Sequence, residues 1–218
     1  MILAEASTRT VERALDLLGA VCERGHASLA ETAREADLPA STALRLLRTL
    51  EANSFLTRDE SGDYRPGSRL IQLGAQAFTK NTLTEVARQP MQNIVDAIGE
   101  SAYLSVEGPN DSALYISIIE GTHSVRHTNW VGRTVPLEGS AAGQVLRGEA
   151  PDEGFVVVQN SVEDDVTAIS APIEVAGRPR AVLSVLVPTY RIDKTKATRY
   201  GQLLVQAAAD ISGQLIGN

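Results

Sequence analysis

The sequence predicts an α+β protein of two domains, in which a mainly helical domain with a small β-hairpin precedes a domain built on an antiparallel sheet. Three observations carry this prediction. Apolar residues recur at helical spacing through residues 10–50, two strand-like pieces follow around Ser61-Gly62, and five apolar runs occupy residues 102–187. A length of 218 residues fits two modest domains, and 43% apolar with 22% charged residues is ordinary globular composition.

Composition excludes several classes of protein. The single cysteine, Cys22, rules out a disulfide framework and a cysteine-based zinc cluster, and its place on an apolar stripe predicts a buried side chain. No run of about 18 apolar residues is present, so neither a membrane span nor a membrane partner is expected. The N-terminus carries an early acid and lacks the unbroken apolar stretch of a secretory signal, which makes a cytoplasmic location the expectation.

Three helices are predicted in the first domain. Gly25 ends the first, Ser28 and Glu31 form a capping box for the second, and Pro39 opens the third. The first helix is predicted by an apolar stripe made of Val11, Ala14, Leu15, Leu18, Val21 and Cys22.

The third helix, residues 41–50, has two unlike faces. At 100° per residue its polar side chains fall on one arc of about 120°. These side chains are Ser41, Thr42, Arg45, Arg48 and Thr49. The leucines lie opposite and predict the packed face. Every basic residue in residues 1–70 is an arginine, whose fork suits phosphate and guanine edges, although a solvated helix surface also carries such residues.

A two-stranded hairpin completes the first domain, with Arg58 and Arg65 on either side of its Ser61-Gly62 tip. Helix, helix, turn, helix and hairpin is the order of a winged helix-turn-helix, whose third helix enters the major groove of DNA. Arg13 on the first helix is either a further phosphate contact or a solvated surface residue. The formal net charge of −7 argues against a protein coated in nucleic acid, yet it does not exclude one local contact surface.

The second domain follows an amphipathic linker helix. We assign residues 1–68 to the winged helix-turn-helix, 69–82 to the linker helix and 83–218 to the second domain. A capping box at Thr82 and Glu85 opens a helix to about Ile98. Residues 140–146 predict a short helix of small residues and residues 193–216 a long closing helix. Strands are predicted at 102–106, 113–119, 155–158, 167–175 and 181–187, which indicates a sensor-type α+β sheet.

Along nearly its whole length the chain resembles the IclR family of bacterial transcriptional regulators. In the first domain the resemblance lies in TVERALDLL (10–18), residues 29–67 and LIQLG (70–74); in the second it lies in VGRTVPLEGSAAGQVL (131–146) and residues 170–188. It implies a winged helix-turn-helix joined to a GAF-like α/β effector domain with an antiparallel sheet. It also implies homodimers or homotetramers that bind double-stranded operator DNA and respond to a small-molecule effector. Such proteins act either as repressors or as activators.

The resemblance implies site residues at matching positions. The DNA contacts fall on Ser41, Thr42, Arg45 and Arg48, with Arg58 and Arg65 at the wing. The effector pocket lies between the GSAAG loop and the sheet and is expected to use Ser124, Ala141, Ala142, Gly143, Val158, Val166, Ala168, Ser184 and Leu186. The run of small residues has an alternative interpretation, which is close packing of helix on sheet.

Two departures from the family pattern bear on the ligand. Val158, Ala168 and Leu186 stand where relatives often have an acid, a cysteine and a serine. The pocket is therefore expected to hold a partly apolar or aromatic carboxylate rather than a tiny polar acid. The connection at 147–154 is also short, because the family carries an additional helical segment there; either the loop is shortened or a stretch is missing from the sequence.

An enzyme acting on the same small acid is the rival hypothesis, and a ligand-binding module without DNA function is a third. No G-x-S-x-G elbow, phosphate loop or dinucleotide fingerprint is present. His123 and His127 are four residues apart, but a loop or strand does not place such a pair on one face, so no metal is expected. We therefore predict no catalytic residues and no cofactor.

Overall fold

The computed structural model describes residues 8–79 and 82–216, which belong to two compact units, residues 1–80 and residues 81–218. Residues 80 and 81 of the predicted linker, and the first seven residues, lie outside the described part. Each unit is taken by itself below. In the described part, no helix has the length and apolar character needed to cross a lipid bilayer.

The first unit contains four helices and one hairpin. Its elements are α1 (Arg9–Arg24), α2 (Leu29–Glu35), α3 (Ala40–Ala52), β1 (Leu56–Arg58), β2 (Tyr64–Pro66) and α4 (Ser68–Thr79). The strands pair antiparallel, with Thr57 opposite Arg65. The predicted capping box is present: Ser28 Oγ accepts from the Glu31 amide, and Glu31 Oε2 accepts from the Ser28 amide at 2.9 Å.

The core of the first unit lies between α1, α2, α3 and the hairpin. Leu17, Val21, Leu47, Leu56 and Tyr64 are among its fully buried side chains. One prediction about this core was wrong, because Cys22 is exposed in this unit rather than buried. The buried face of α1 is centred on Leu17 and Val21, which turns the Cys22 side of the helix away from α3 and the hairpin.

The second unit is a six-stranded antiparallel sheet with three helices. Its elements are α5 (Thr82–Ile98), β3 (Ser101–Gly108), β4 (Ser112–Ile119), β5 (Thr134–Pro136), α6 (Ala141–Leu146), β6 (Val156–Gln159), β7 (Val166–Val175), β8 (Arg178–Pro188), a 3-10 turn (Thr189–Arg191) and α7 (Lys194–Ile216). The strand order is β5-β4-β3-β8-β7-β6, and each neighbouring pair is antiparallel. The sequence predicted every strand except β5.

The sheet buries different side chains on its two faces because side chains alternate along a strand. Leu183 and Val185 of β8 face the larger core, where α5 and α7 pack on the sheet. Val182 and Leu186 face the smaller core, which α6 and the segment before it cover. This smaller core is incomplete, and the space left in it is the pocket described below.

Gly143 brings α6 close to the preceding segment. A Cβ atom at this position would lie 1.9 Å from the carbonyl oxygen of Leu137, so only glycine allows the approach. The two interpretations of the GSAAG run therefore apply to different residues. Gly143 serves close packing, whereas Ala141 and Ala142 line the pocket.

Candidate nucleic-acid interface and small-molecule pocket

Helix α3 presents the polar face that its sequence predicts. Ser41, Arg45 and Arg48 are exposed and Thr42 is half-buried, while Leu46 and Leu47 are buried on the opposite side. In the part of the chain that the structure describes, neither arginine forms an ion pair or a side-chain hydrogen bond. Both guanidinium groups therefore have all of their donors available for a nucleic acid.

The two wing arginines are already engaged within the wing. Arg58 lies 4.5 Å from the centre of the Tyr64 ring, donates to its hydroxyl, and is 3.9 Å from Glu51. Arg65 donates to Asp59 at 2.7 Å. The Ser61 hydroxyl and Arg65 together hold the pKa of Asp59 well below its usual range. These contacts make the wing arginines positioning residues for the hairpin as well as candidate phosphate contacts, a distinction that residue spacing alone does not reveal.

A pocket with a cavity volume of about 30 Å³ lies between α6, the sheet and the two loops at 120–133 and 160–165. This volume holds only about one or two water molecules, so an aromatic ligand would have to displace side chains or loop segments that border the pocket. Its lining comprises Tyr115, His127, Trp130, Ser140, Ala141, Ala142, Val158, Ser161, Val162, Glu163, Val166, Ala168, Ser170 and Leu186. The walls are mostly apolar and aromatic, and neither lysine nor arginine is among these residues.

The structure brings six of the nine expected pocket residues to this wall: Ala141, Ala142, Val158, Val166, Ala168 and Leu186. Ser124 is exposed on the 120–133 loop, and Gly143 packs against Leu137 instead. Ser184 faces the same side of the sheet but is buried and does not line the pocket; its hydroxyl lies 2.8 Å from that of Ser170. Of these two serines, Ser170 is the one at the pocket wall.

An aromatic cluster that the sequence did not predict borders the pocket. Tyr103, Tyr115, His127 and Trp130 meet edge to face, with ring centres 4.6–5.7 Å apart. Such pairs are favourable at these separations. Side-chain alternation along β4 could have predicted that Tyr115 shares a face with Ala113. The positions of His127 and Trp130 could not be predicted, because both lie in a loop without periodicity.

Hydrogen bonds fix the loops around this cluster. The Tyr103 hydroxyl donates to the Thr128 carbonyl and lies 2.7 Å from His127 Nδ1, and His127 Nε2 lies 3.0 Å from Glu163 Oε2. His127 thus joins the 120–133 loop to the 160–165 loop across the pocket. Among the described residues, no cluster of histidine, cysteine and acidic side chains could hold a metal ion.

The base of the 120–133 loop is held by an ion pair between a buried glutamate and a partly exposed arginine. Glu100 is fully buried, and Arg191 Nη1 lies 2.9 and 3.1 Å from its two carboxylate oxygens. The other Arg191 nitrogen, Nη2, donates to the Val125 carbonyl at 2.9 Å. His123 Nε2 is 3.6 Å from the same carboxylate. Charge pairing and backbone contact together connect the residue that precedes β3, the 3-10 turn and the loop.

The short connection between α6 and β6 closes as a compact turn. The Glu149 amide donates to the Gln144 carbonyl at 2.9 Å, and the Gly154 amide donates to the Pro151 carbonyl at 2.8 Å. Phe155 then packs directly on Gly201 of α7, where a Cβ atom would lie 2.3 Å from the phenyl ring. The turn therefore joins α6 to the edge strand with no further helix between them.

A winged helix-turn-helix unit followed by a sheet unit with a small pocket is the architecture of a DNA-binding transcriptional regulator. Comparison with known families agrees, since the IclR helix-turn-helix domain matches residues 10–60 and the C-terminal domain of bacterial IclR regulators matches residues 75–153. The chain belongs to the IclR family, which confirms the resemblance in its motifs. The related proteins are transcriptional regulators, which supports a regulator over the rival hypothesis of an enzyme.

Individual relatives cover nearly the whole chain. The transcriptional repressor IclR of Escherichia coli K12 is 22% identical over 248 residues, which covers 96% of this chain and 90% of that protein. A crystal structure of an IclR regulator from Alicyclobacillus acidocaldarius has a TM-score of 0.82 at 23% identity and covers 95% of this chain and 99% of that one. An IclR homologue from Microbacterium hydrocarbonoxydans, complexed with 4-hydroxybenzoate, has a TM-score of 0.79 at 21% identity, with 96% and 100% coverage.

Chain length agrees with the predicted departure from the family. The alignment with the Escherichia coli repressor extends over 248 residues, 30 more than this chain has. The C-terminal domain match ends at residue 153, inside the short connection between α6 and β6.

Proposed function

We propose that this regulator binds a pseudo-palindromic operator through α3 of two subunits and responds to a small, partly apolar aromatic acid in its pocket. The observation that carries the DNA-binding part is the unpaired state of Arg45 and Arg48 on an exposed helix face whose other side is buried. Ser41 and Thr42 offer hydroxyl contacts at the same helix end, and Arg58 and Arg65 place charge along the wing. Such a protein acts where the chromosome is, in the cytoplasm.

The effector part of the proposal is supported by the lining of the pocket. Aromatic rings and aliphatic walls suit a planar, partly apolar ligand, and the related Microbacterium structure contains 4-hydroxybenzoate. Arg126 and Arg133 do not line the pocket; Arg126 instead donates to Glu120 at 2.9 Å. Ser140 Oγ accepts from the Gly143 amide, so this amide at the start of α6 is not available to a ligand.

Replacing Arg45 by alanine is expected to weaken specific operator binding by about 1–3 kcal/mol and to relax preference at one base pair. The reason is that Arg45 is central on the free polar face of α3. Binding to operator and to variants of each base pair would be measured by fluorescence anisotropy at fixed salt. Arg88→Ala is the matched control, since it removes the same charge from an exposed position on α5.

Equal losses on operator and random DNA would contradict base readout by Arg45 and assign it to the phosphate backbone. If neither Arg45→Ala nor Arg48→Ala changed DNA binding, the polar face of α3 would not contact DNA. That result would favour the third hypothesis, a ligand-binding module without DNA function.

We further propose that the protein is an oligomer with paired DNA-binding units. Apolar side chains on α1 and α4 remain uncovered in the first unit: Val11 is 56% exposed, Leu15 59% and Ile71 73%. Their exposure is consistent with a second copy that covers them. One winged helix with few free arginines also binds too little DNA for tight, specific recognition.

The expected solution mass is that of a dimer or a tetramer, and the expected footprint covers two half-sites about one helical turn apart or a multiple of it. Light scattering and DNase footprinting measure these quantities. Leu15→Glu should weaken operator binding, because it places a charge in the proposed contact. A monomeric mass with a footprint over a single half-site would contradict the proposal.

A further inference from the structure

Among the residues that the structure describes, none accepts a hydrogen bond from the indole N–H of Trp130, although the side chain borders the pocket and is only 7% exposed. Buried donors are almost always paired, so an unpaired one requires an explanation. Among the described residues, the Ser105 hydroxyl is the other buried side-chain group without a partner, and it does not line the pocket. Trp130 is also the single tryptophan of the chain.

The neighbours of Trp130 explain why its N–H stays unpaired. The indole ring is held edge to face between His127, at 4.6 Å, and Tyr115, at 5.7 Å, so it cannot turn towards a distant acceptor. The polar atoms nearby already bond to one another, because His127 joins Tyr103 and Glu163. Phenylalanine would give similar packing without an unpaired donor, so packing alone does not account for tryptophan here.

A second donor lies beside it. The Tyr115 hydroxyl forms no hydrogen bond within the part of the chain that is described. Burial, and secondarily Glu163, raises the pKa of Tyr115 to about 12, so this hydroxyl keeps its proton at neutral pH. With no lysine or arginine at the pocket wall, and with Glu163 bonded to His127, the free polar groups of the aromatic cluster are neutral donors.

We propose that Trp130 Nε1–H, assisted by the Tyr115 hydroxyl, is the donor that determines ligand specificity. The ligand it selects carries an acceptor oxygen on an aromatic ring. This inference rests on the proposed effector pocket and deepens it: apolar walls hold the ring, and the two donors recognise a carboxylate or hydroxyl oxygen. A ligand without an acceptor would leave the indole N–H unpaired and would bind more weakly.

Titration of the full-length protein with benzoate, 4-hydroxybenzoate and phenylacetate tests this assignment by calorimetry. Trp130→Phe is expected to weaken binding of the best of these acids about tenfold, the usual effect of losing one hydrogen bond, and Tyr115→Phe to weaken it less. Toluene, which has a similar ring without an acceptor, should bind wild type and Trp130→Phe equally.

A spectroscopic measurement reports the same bond directly. Because the chain has one tryptophan, its amide-proton NMR spectrum contains one indole N–H resonance, and this resonance should move downfield when the acid binds. An unmoved resonance, with equal affinity of the acid for Trp130→Phe and wild type, would overturn the role of Trp130 while leaving the pocket intact. If none of the three acids binds wild type, the ligand class proposed for the pocket fails, and this inference fails with it.

Discussion

Replacing Arg191 by methionine should lower the free energy of unfolding of the second unit by about 3–5 kcal/mol, the usual loss when a buried ion pair loses one partner. Glu100 is fully buried, and among the described residues its remaining ion-pair partner would be the His123 imidazole, 3.6 Å away. The Val125 carbonyl would also lose its donor. Urea unfolding followed by fluorescence measures this loss, because the single tryptophan, Trp130, lies in this unit.

Arg126→Met is the matched control for this experiment. Arg126 also pairs with a carboxylate at 2.9 Å, but both partners are exposed, so its loss should change stability by less than about 1 kcal/mol. The double variant Arg191→Met/Glu100→Leu should recover much of the lost stability, since it removes the uncompensated charge. Equal effects of Arg191→Met and Arg126→Met would show that the buried pair does not hold the base of the loop.

Features determined by local sequence were predictable. The amphipathic pattern of residues 41–50 identified the free and the buried faces of α3, because a helix of this length has a definite apolar side. Ser28 and Glu31 located the start of α2 because a capping box involves only neighbouring residues. Alternating or continuous apolar runs located the five longer strands for the same reason.

Features that depend on contacts between distant segments were not predictable. Strand β5 has three residues and forms by pairing with β4, and nothing in its own pattern distinguishes it from a loop. Cys22 was wrongly predicted to be buried, because the apolar stripe on α1 is wider than the face that this helix buries. The engaged state of Arg58 depends on the position of the Tyr64 ring, which spacing along the chain does not give.

The residues of the candidate pocket also fall into a group that the sequence predicted and a group that it did not. Its strand residues Val158, Ala168 and Leu186 were expected because the family resemblance assigns pocket residues at matching positions of the sequence. Its polar groups come from loops, where His127 meets Glu163 at a sequence separation of 36 residues. No spacing rule relates two such positions, so the resemblance located the pocket wall but not its donors.

Replacing Ala168 by phenylalanine is expected to abolish detectable binding of aromatic acids while leaving operator binding unchanged. Ala168 lies in the middle of a row across three strands, opposite Val158 of β6 and Leu186 of β8, and all three line the pocket. A phenyl ring here would occupy the space of the ligand ring. A strand position accepts an aromatic side chain readily, so the sheet itself should persist.

Calorimetry with the best of the three acids, and anisotropy with operator DNA, measure the two expected outcomes for Ala168→Phe. Val157→Phe is the control, because it adds the same ring one residue away on β6, where alternation directs the side chain to the other face and 38% of Val157 is exposed. This control should bind the acid as wild type does. Because the added ring competes with the ligand for one volume, retained affinity in Ala168→Phe would place the effector site elsewhere, even if Trp130→Phe had weakened binding.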